Sequence, residues 1–273
     1  MSPKSQRSRI ALAASLAVLA APAAASDASP WDGTPRAAVR LIAGGQRHGV
    51  HHAGLEIRLA PGWKTYWRYP GDSGIPPRFD FSNSRNVKSV TVRWPAPQRL
   101  TDEGGTSIGY KHDVVFPLDV VAQDAAKPVT LVLGIDYAVC EKLCVPADGK
   151  AELTLTGRAG EHEQKIAQAL ALVPRPAEIG GGAFAVHAVK REGKNILVDV
   201  AAPPGVELFA EGPAPDWALP VPVAVDGAPA GQQRFAFELD GLPPDAKPDG
   251  ATLKLTAVAG EQAIEVSARL PAP

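Results

Sequence analysis

The chain has 273 residues, 45% of them hydrophobic, with 28 basic and 29 acidic side chains. That length can bury one or two cores, and the near-neutral charge excludes the basic surface that a nucleic-acid partner requires. With 27 Pro and 26 Gly, turns and short strands are expected rather than long helices.

"MSPKSQRSR" carries Lys4, Arg7 and Arg9 and no acid. An apolar run follows and ends in small residues, with Ala23 and Ala25 before Ser26. A basic start, a short apolar stretch and an A-x-A site read as a secretory signal over residues 1–25. The run is short for the roughly 20 residues of a membrane span, and Pro22 interrupts its end. Cleavage near Ala25 would leave 25 bases against 29 acids. The exported product is expected to enter a periplasm or the extracellular space, where disulfides persist. No later segment is apolar enough to span a bilayer, so stable membrane insertion is not expected.

"HGVHH" gathers His48, His51 and His52. Imidazoles bind copper or zinc, but strand alternation would send His51 and His52 to opposite sides, and no further ligand cluster accompanies them. No metal and no cofactor is expected. "GLEIRLA" puts Leu55, Ile57 and Leu59 on one face, with Glu56 and Arg58 on the other. "WKTYWRYP" crowds Trp63, Tyr66, Trp67 and Tyr69, aromatics suited to a core. Ser73 in "RYPGDSG" has no histidine motif to make it a nucleophile. "SVTVRW", "PVTLVLGIDY" and "AELTLT" alternate with period two, and the second aligns Val129, Leu131, Leu133, Ile135 and Tyr137. "YPGDSGIPP" and "PADGK" read as turns. Strands at this spacing predict an all-β sandwich.

"EHEQKIAQALALVP" differs. Ile166, Ala169, Leu170 and Val173 follow a helical period, acids open the segment and Pro174 closes it. "RPAEIGGG" reads as a linker. Beyond it, "AFAVHAV" and "NILVDVA" flank a hairpin turn, "RFAFEL" follows, and "TLKLTAVAGEQAIEVSARL" turns at Gly260. The expected layout is a β-sandwich over 26–158, a short helix and linker over 159–180, and a second β-sandwich-like domain over 181–273.

"YAVCEKLCVP" holds both cysteines, Cys140 and Cys144. On a straight strand they would stand about 13 Å apart, beyond the roughly 7 Å that a disulfide tolerates. If they bond, the chain turns between them, across Glu141-Lys142-Leu143. One strand would run into Cys140, and another would leave after a turn at Pro146–Gly149. By parity Cys140 lies opposite the Leu131–Tyr137 face, so a core on that face would direct the sulfur outward. So small a loop closes for only about 2 kcal/mol. Cysteines this close also suit reversible exchange, since oxidation and reduction need little backbone change. Spacing alone leaves a redox pair and a structural clip open.

"GWKTYWRYPGDSGIPP", "WPAPQR", "DEGG.SIGY", "VVFPLDV" and "YAVCEKLCVP" together resemble the N-terminal periplasmic region of the DsbD/ScsB thiol:disulfide interchange reductases, over about residues 45–157. The resemblance implies an immunoglobulin-like sandwich with a redox-active pair at one edge. It implies Cys144 as the sulfur that forms mixed disulfides and Cys140 as the one that resolves them. It implies electron transfer from a membrane thiol reductase to periplasmic thioredoxin-like partners. It also implies a shielding loop, here Asp102, Glu103, Gly104, Gly105, Ile108 and Tyr110. DsbD proper has an aromatic residue in that loop. Gly104 and Gly105 stand here instead, which leaves Ile108 or Tyr110 to cover the sulfurs, or the loop to be a plain glycine turn. Tyr66 or Trp67 is expected beside the pair. Members of the full type continue into a membrane domain. This chain stops after its second β domain, so the expectation is either that a separate membrane protein reduces it or that it acts in another redox direction. The competing expectation is a non-enzymatic periplasmic interaction module with a structural disulfide, linked through the ScsB branch to copper tolerance.

Overall fold

The computed structural model describes residues 26–71, 74–102 and 105–272. The proposed signal segment, 1–25, lies outside them, as does Ser73. No helix among the described residues is long and apolar enough to cross a membrane.

The first half of the chain forms eleven strands. They are β1 (Asp32–Gly33), β2 (Ala37–Arg47), β3 (Val50–Leu59), β4 (Lys64–Gly71), β5 (Arg78–Asp80), β6 (Val87–Val92), β7 (Gln98–Asp102), β8 (Gly105–Tyr110), β9 (Val114–Ala122), β10 (Val129–Cys140) and β11 (Cys144–Leu155). They make two facing sheets, ordered β1-β2-β3-β9-β6 and β11-β10-β4-β8-β7, with β5 paired to β10. This is an immunoglobulin-like sandwich. Alternation builds its core: Val39, Leu41, Leu55 and Ile57 from one sheet meet Leu131, Leu133, Ile135 and Tyr137 from the other. Phe79, Trp94, Tyr110 and Phe116 pack ring against ring, with centroids 5.0–5.6 Å apart.

The turn expected at Pro146–Gly149 does not form. β10 and β11 pair without interruption from Val129↔Leu155 to Cys140↔Cys144, and Ala138↔Pro146 and Ile135↔Gly149 lie within the ladder. Pro146 fits because β11 is an edge strand, where a missing N–H breaks no ladder bond. Gly149 answers a close approach by β2, since a Cβ there would stand 2.5 Å from Val39 Cγ2.

The helix α1 (Glu163–Ala171) lies on the outer face of the β2-β3-β9 sheet. Ile166 and Ala169 pack on Ile42 and Val115, whereas Leu170, expected to face inward, is exposed. Glu56, expected on a solvent face, is 2% exposed because the helix covers it. Its carboxylate accepts from Arg40 at 2.8 Å and from Lys165 of α1. Burial works against the Glu56 charge, but these two cations outweigh it and hold its pKa below the usual carboxylate value.

The segment read as a linker carries an element of its own. β12 (Arg175–Ala177) joins the second half as a parallel edge strand. There β13 (Ala185–Glu192), β14 (Asn195–Ala201), β15 (Glu207–Glu211), β16 (Val223–Val225), β17 (Gln232–Glu238), β18 (Thr252–Ala259) and β19 (Gln262–Arg269) complete two four-stranded sheets. Their orders are β12-β19-β18-β15 and β13-β14-β17-β16. Val198, Phe235, Phe237, Leu255, Val266 and Trp217 fill the space between them. Both hairpins read from the sequence are present, β13–β14 and β18–β19.

The two sandwiches meet along β4. Trp67 packs on Phe209 at 6.0 Å between ring centroids, and the Tyr69 hydroxyl donates to the Leu219 carbonyl at 2.5 Å. Arg68 donates to both Glu211 oxygens, at 2.9 and 2.6 Å, and to Glu265. Burial disfavours the guanidinium charge, yet these carboxylates raise its pKa above the ordinary arginine value. Removing one partner of such a buried cluster strands the others. Arg68→Ala is therefore expected to destabilise the protein by about 3 kcal/mol. A lower midpoint in urea unfolding checks this, and Arg68→Met with Glu211→Gln together should recover part of the loss.

Candidate functional site

The β10–β11 hairpin places the cysteines. Cys140 and Cys144 are direct cross-strand partners, with Cα atoms 4.1 Å apart and a disulfide between them. Glu141, Lys142 and Leu143 make the exposed turn, and Leu143 is 78% exposed. β10 sends Val129 to Val139 inward at odd positions, so Cys140 falls on the sheet's other face. Parity thus gave its direction, but not its exposure. Cys140 is 6% exposed, packed with Tyr66 and Ala138. Cys144, on the outgoing strand, is exposed. The two cysteines are unequal: Cys144 is an exposed residue and Cys140 a covered one.

Tyr66 provides the cover. Its hydroxyl lies 3.0 Å from Cys144 Sγ. Gly74 lies flat on its ring, where a Cβ would meet Tyr66 Cδ1 and Cε1 at 2.6 Å, and the φ of +146° there also favours glycine. Burial, then the negative charge of Asp102, raises the Tyr66 pKa. The phenol stays protonated and can donate to sulfur.

Beside them lies a group that the sequence reading passed over. Lys64 is the cross-strand neighbour of Cys140 and is only 8% exposed. Its ammonium donates to Asp102 Oδ2 at 2.5 Å and to Ser107 Oγ at 3.1 Å. A lysine two residues before Tyr66 in a strand takes the same face. That parity was the available signal.

Other expected site residues lie elsewhere. Trp67 is on the core face of β4 and packs toward Phe209. Ile108 and Tyr110 also point into the sandwich core, and the Tyr110 hydroxyl donates to the Pro95 carbonyl at 2.9 Å. Tyr110 pairs with Thr65, which pairs with Val139, so it shares the core face rather than the Cys140 face. None of the three covers the sulfurs, because strand parity turns each away. Of the expected loop, Asp102 is tied to Lys64, and Gly105 is exposed with φ +110°. Glu103 and Gly104 lie outside the described residues.

The histidines separate as strand alternation requires. His48 sits in the β2–β3 turn, and His51 is buried beside Gln46. His52 Nδ1 is 3.1 Å from Asp119. Burial, then the neighbouring His52, lowers the His51 pKa. No group of three or more metal-ligating side chains occurs among the described residues.

One exposed and one covered cysteine share the hairpin, with a phenol at the exposed one, an arrangement that suits thiol:disulfide interchange. Residues 34–156 match the family described as "Thiol:disulfide interchange protein DsbD, N-terminal". The fold is similar to the crystal structure of the N-terminal periplasmic domain of ScsB from Proteus mirabilis. That match has 22% sequence identity and a TM-score of 0.73, and covers 90% of this chain and 99% of that one. A search of curated proteins finds no match.

A hydrogen bond to a thiolate favours the charged form and lowers the thiol pKa. In Cys140→Ser protein, Tyr66→Phe is expected to raise the Cys144 pKa by about one unit, the worth of one bond to a charged group. The pH dependence of iodoacetamide alkylation measures it.

Proposed function

We propose that this protein is a periplasmic thiol:disulfide interchange protein. It relays electrons through Cys140 and Cys144 from a membrane thiol reductase to thioredoxin-like partners. The observation that carries the reading is the inequality of the cysteines, Cys144 exposed and Cys140 covered.

In the reduced state, the Cys144 thiolate attacks one sulfur of a partner disulfide. The partner's other sulfur leaves as a thiolate, and a mixed disulfide joins Cys144 to the partner. The Cys140 thiolate then attacks Cys144 Sγ. The bond to the partner breaks, its second thiolate leaves, and the Cys140–Cys144 disulfide forms. Two electrons pass to the partner, whose thiolates take up two protons from solvent. Recharging runs the same steps backwards, with the membrane reductase's thiolate attacking Cys144.

The cover on Cys140 supports this order, since an incoming thiolate meets Cys144 first. Tyr66 stabilises the Cys144 thiolate whenever that sulfur leaves or attacks. A groove of about 450 Å³ begins two residues beyond Cys144, lined by Ile75, Pro76, Tyr137, Pro146 and Ala147 among others. Arg78, Asp136 and Asp148 also line it, so with exposed Leu143 and Ile75 it offers a partner a mixed apolar and charged surface near the hairpin tip. A purely structural clip is disfavoured by the size of the loop, which closes for only about 2 kcal/mol in a domain with its own large core.

The disulfide of the native protein is expected to equilibrate with glutathione buffers, at a potential above the roughly −300 mV of structural bonds. A bond that glutathione reduces only in denaturant would overturn the relay. Cys140→Ser is expected to accumulate mixed disulfides with a thioredoxin-like partner, whereas Cys144→Ser is not. Trapping by Cys144→Ser alone would reverse the two roles.

A further inference from the structure

Lys64 is the unexplained charge beside the pair. A buried ammonium is costly, and an ion pair in such a place adds little net stability compared with apolar residues of the same shape. Its contacts are specific nonetheless. Asp102 is the last residue of β7, and Ser107 lies on β8, across the turn between them. The Ser107 hydroxyl reaches back to the Leu100 carbonyl at 3.4 Å. One side chain from β4 therefore joins both strands of the β7–β8 hairpin to the backbone position opposite Cys140.

The electrostatic arrangement is equally specific. Asp102 is close enough to Tyr66 for its charge to bear on the phenol. A thiolate formed at Cys144, 3.0 Å from that phenol, would meet the same negative charge. Lys64 places a cation against it. Among the described residues, the other charged groups on elements around the pair are Glu141 and Lys142 on the exposed turn, Asp136 on β10, Asp148, Lys150 and Glu152 on β11, Arg78 and Asp80 on β5, Arg68 on β4 and Arg99 on β7.

We propose that Lys64 is a positioning residue for the exchange reaction. It fixes Asp102 at the end of the β7–β8 hairpin and neutralises it, so that the Cys144 thiolate forms next to a compensated carboxylate. The proposal rests on the relay reading for its biological meaning, but not for its test.

The test uses the full chain with Cys140→Ser, which leaves Cys144 as the one thiol. Iodoacetamide alkylation is followed from acid to alkaline pH. Lys64→Met is expected to move the midpoint up by about one pH unit, because removing the cation lets the Asp102 charge act more strongly against the thiolate. Lys64→Arg should stay near the parent value. Lys64→Met with Asp102→Asn should return to it, since the carboxylate that needed compensation is gone. A residue that merely supports the fold would give no such return. If Lys64→Met does not fold, Asp102→Asn alone serves: it leaves the cation unpaired, and the midpoint should fall. A folded Lys64→Met with an unmoved midpoint, a double variant that keeps the shift, or an Asp102→Asn midpoint that stays or rises would each overturn the proposal. Failure of glutathione exchange in the parent would instead remove the relay and leave the Lys64 result standing.

Discussion

Antiparallel reversal between Cys140 and Cys144 is the constraint on which the site depends. Four residues of extended chain would hold the sulfurs about 13 Å apart. The hairpin brings their Cα atoms to 4.1 Å. Twelve cross-strand pairs behind the turn hold that register. A slip of one residue would exchange the faces of every side chain on β11 and part the cysteines. The long ladder and the core packing of β10 therefore keep the pair in reach of itself in either redox state.

β4 supplies the chemistry around the pair and the contact with the second sandwich. Its first three residues bring Lys64 and Tyr66 to the Cys140 face, with Thr65 between them. Its later residues, Trp67 to Gly71, meet Phe209, Glu211, Leu219 and Val221. Alternation sorts these roles within a few residues. Neighbours in sequence face a sulfur and a core.

Much of this was legible from the residues. Period-two runs located most strands, and the 131–137 face was read correctly as core because the pattern is strict. The three-residue turn followed from disulfide geometry on the condition that the cysteines bond, with the flanking strands suggesting how. The false turn at Pro146–Gly149 arose because Pro, Asp and Gly usually mark reversals. Here Pro sits on an edge and Gly answers crowding by Val39, which local composition does not reveal. Glu56 was misread for a similar reason, since a helix more than a hundred residues later covers it. The cover over the sulfurs was sought in the loop that the resemblance pointed to. Parity along β8 turns Ile108 and Tyr110 away from it, and Tyr66 takes the place. Lys64 was missed because a lysine beside aromatics reads as solvent-facing until its buried partners are seen.

The shared strand has a consequence for where the molecule can be divided. The family match ends at residue 156, but the contacts of Trp67, Arg68 and Tyr69 are completed by residues between 209 and 265. A fragment cut at the family boundary would present an aromatic ring and an unneutralised guanidinium to water, on the strand that carries Lys64 and Tyr66. The inherited module and the smallest piece that keeps its surroundings intact are thus of different lengths. In this protein the second sandwich is part of the first one's interior.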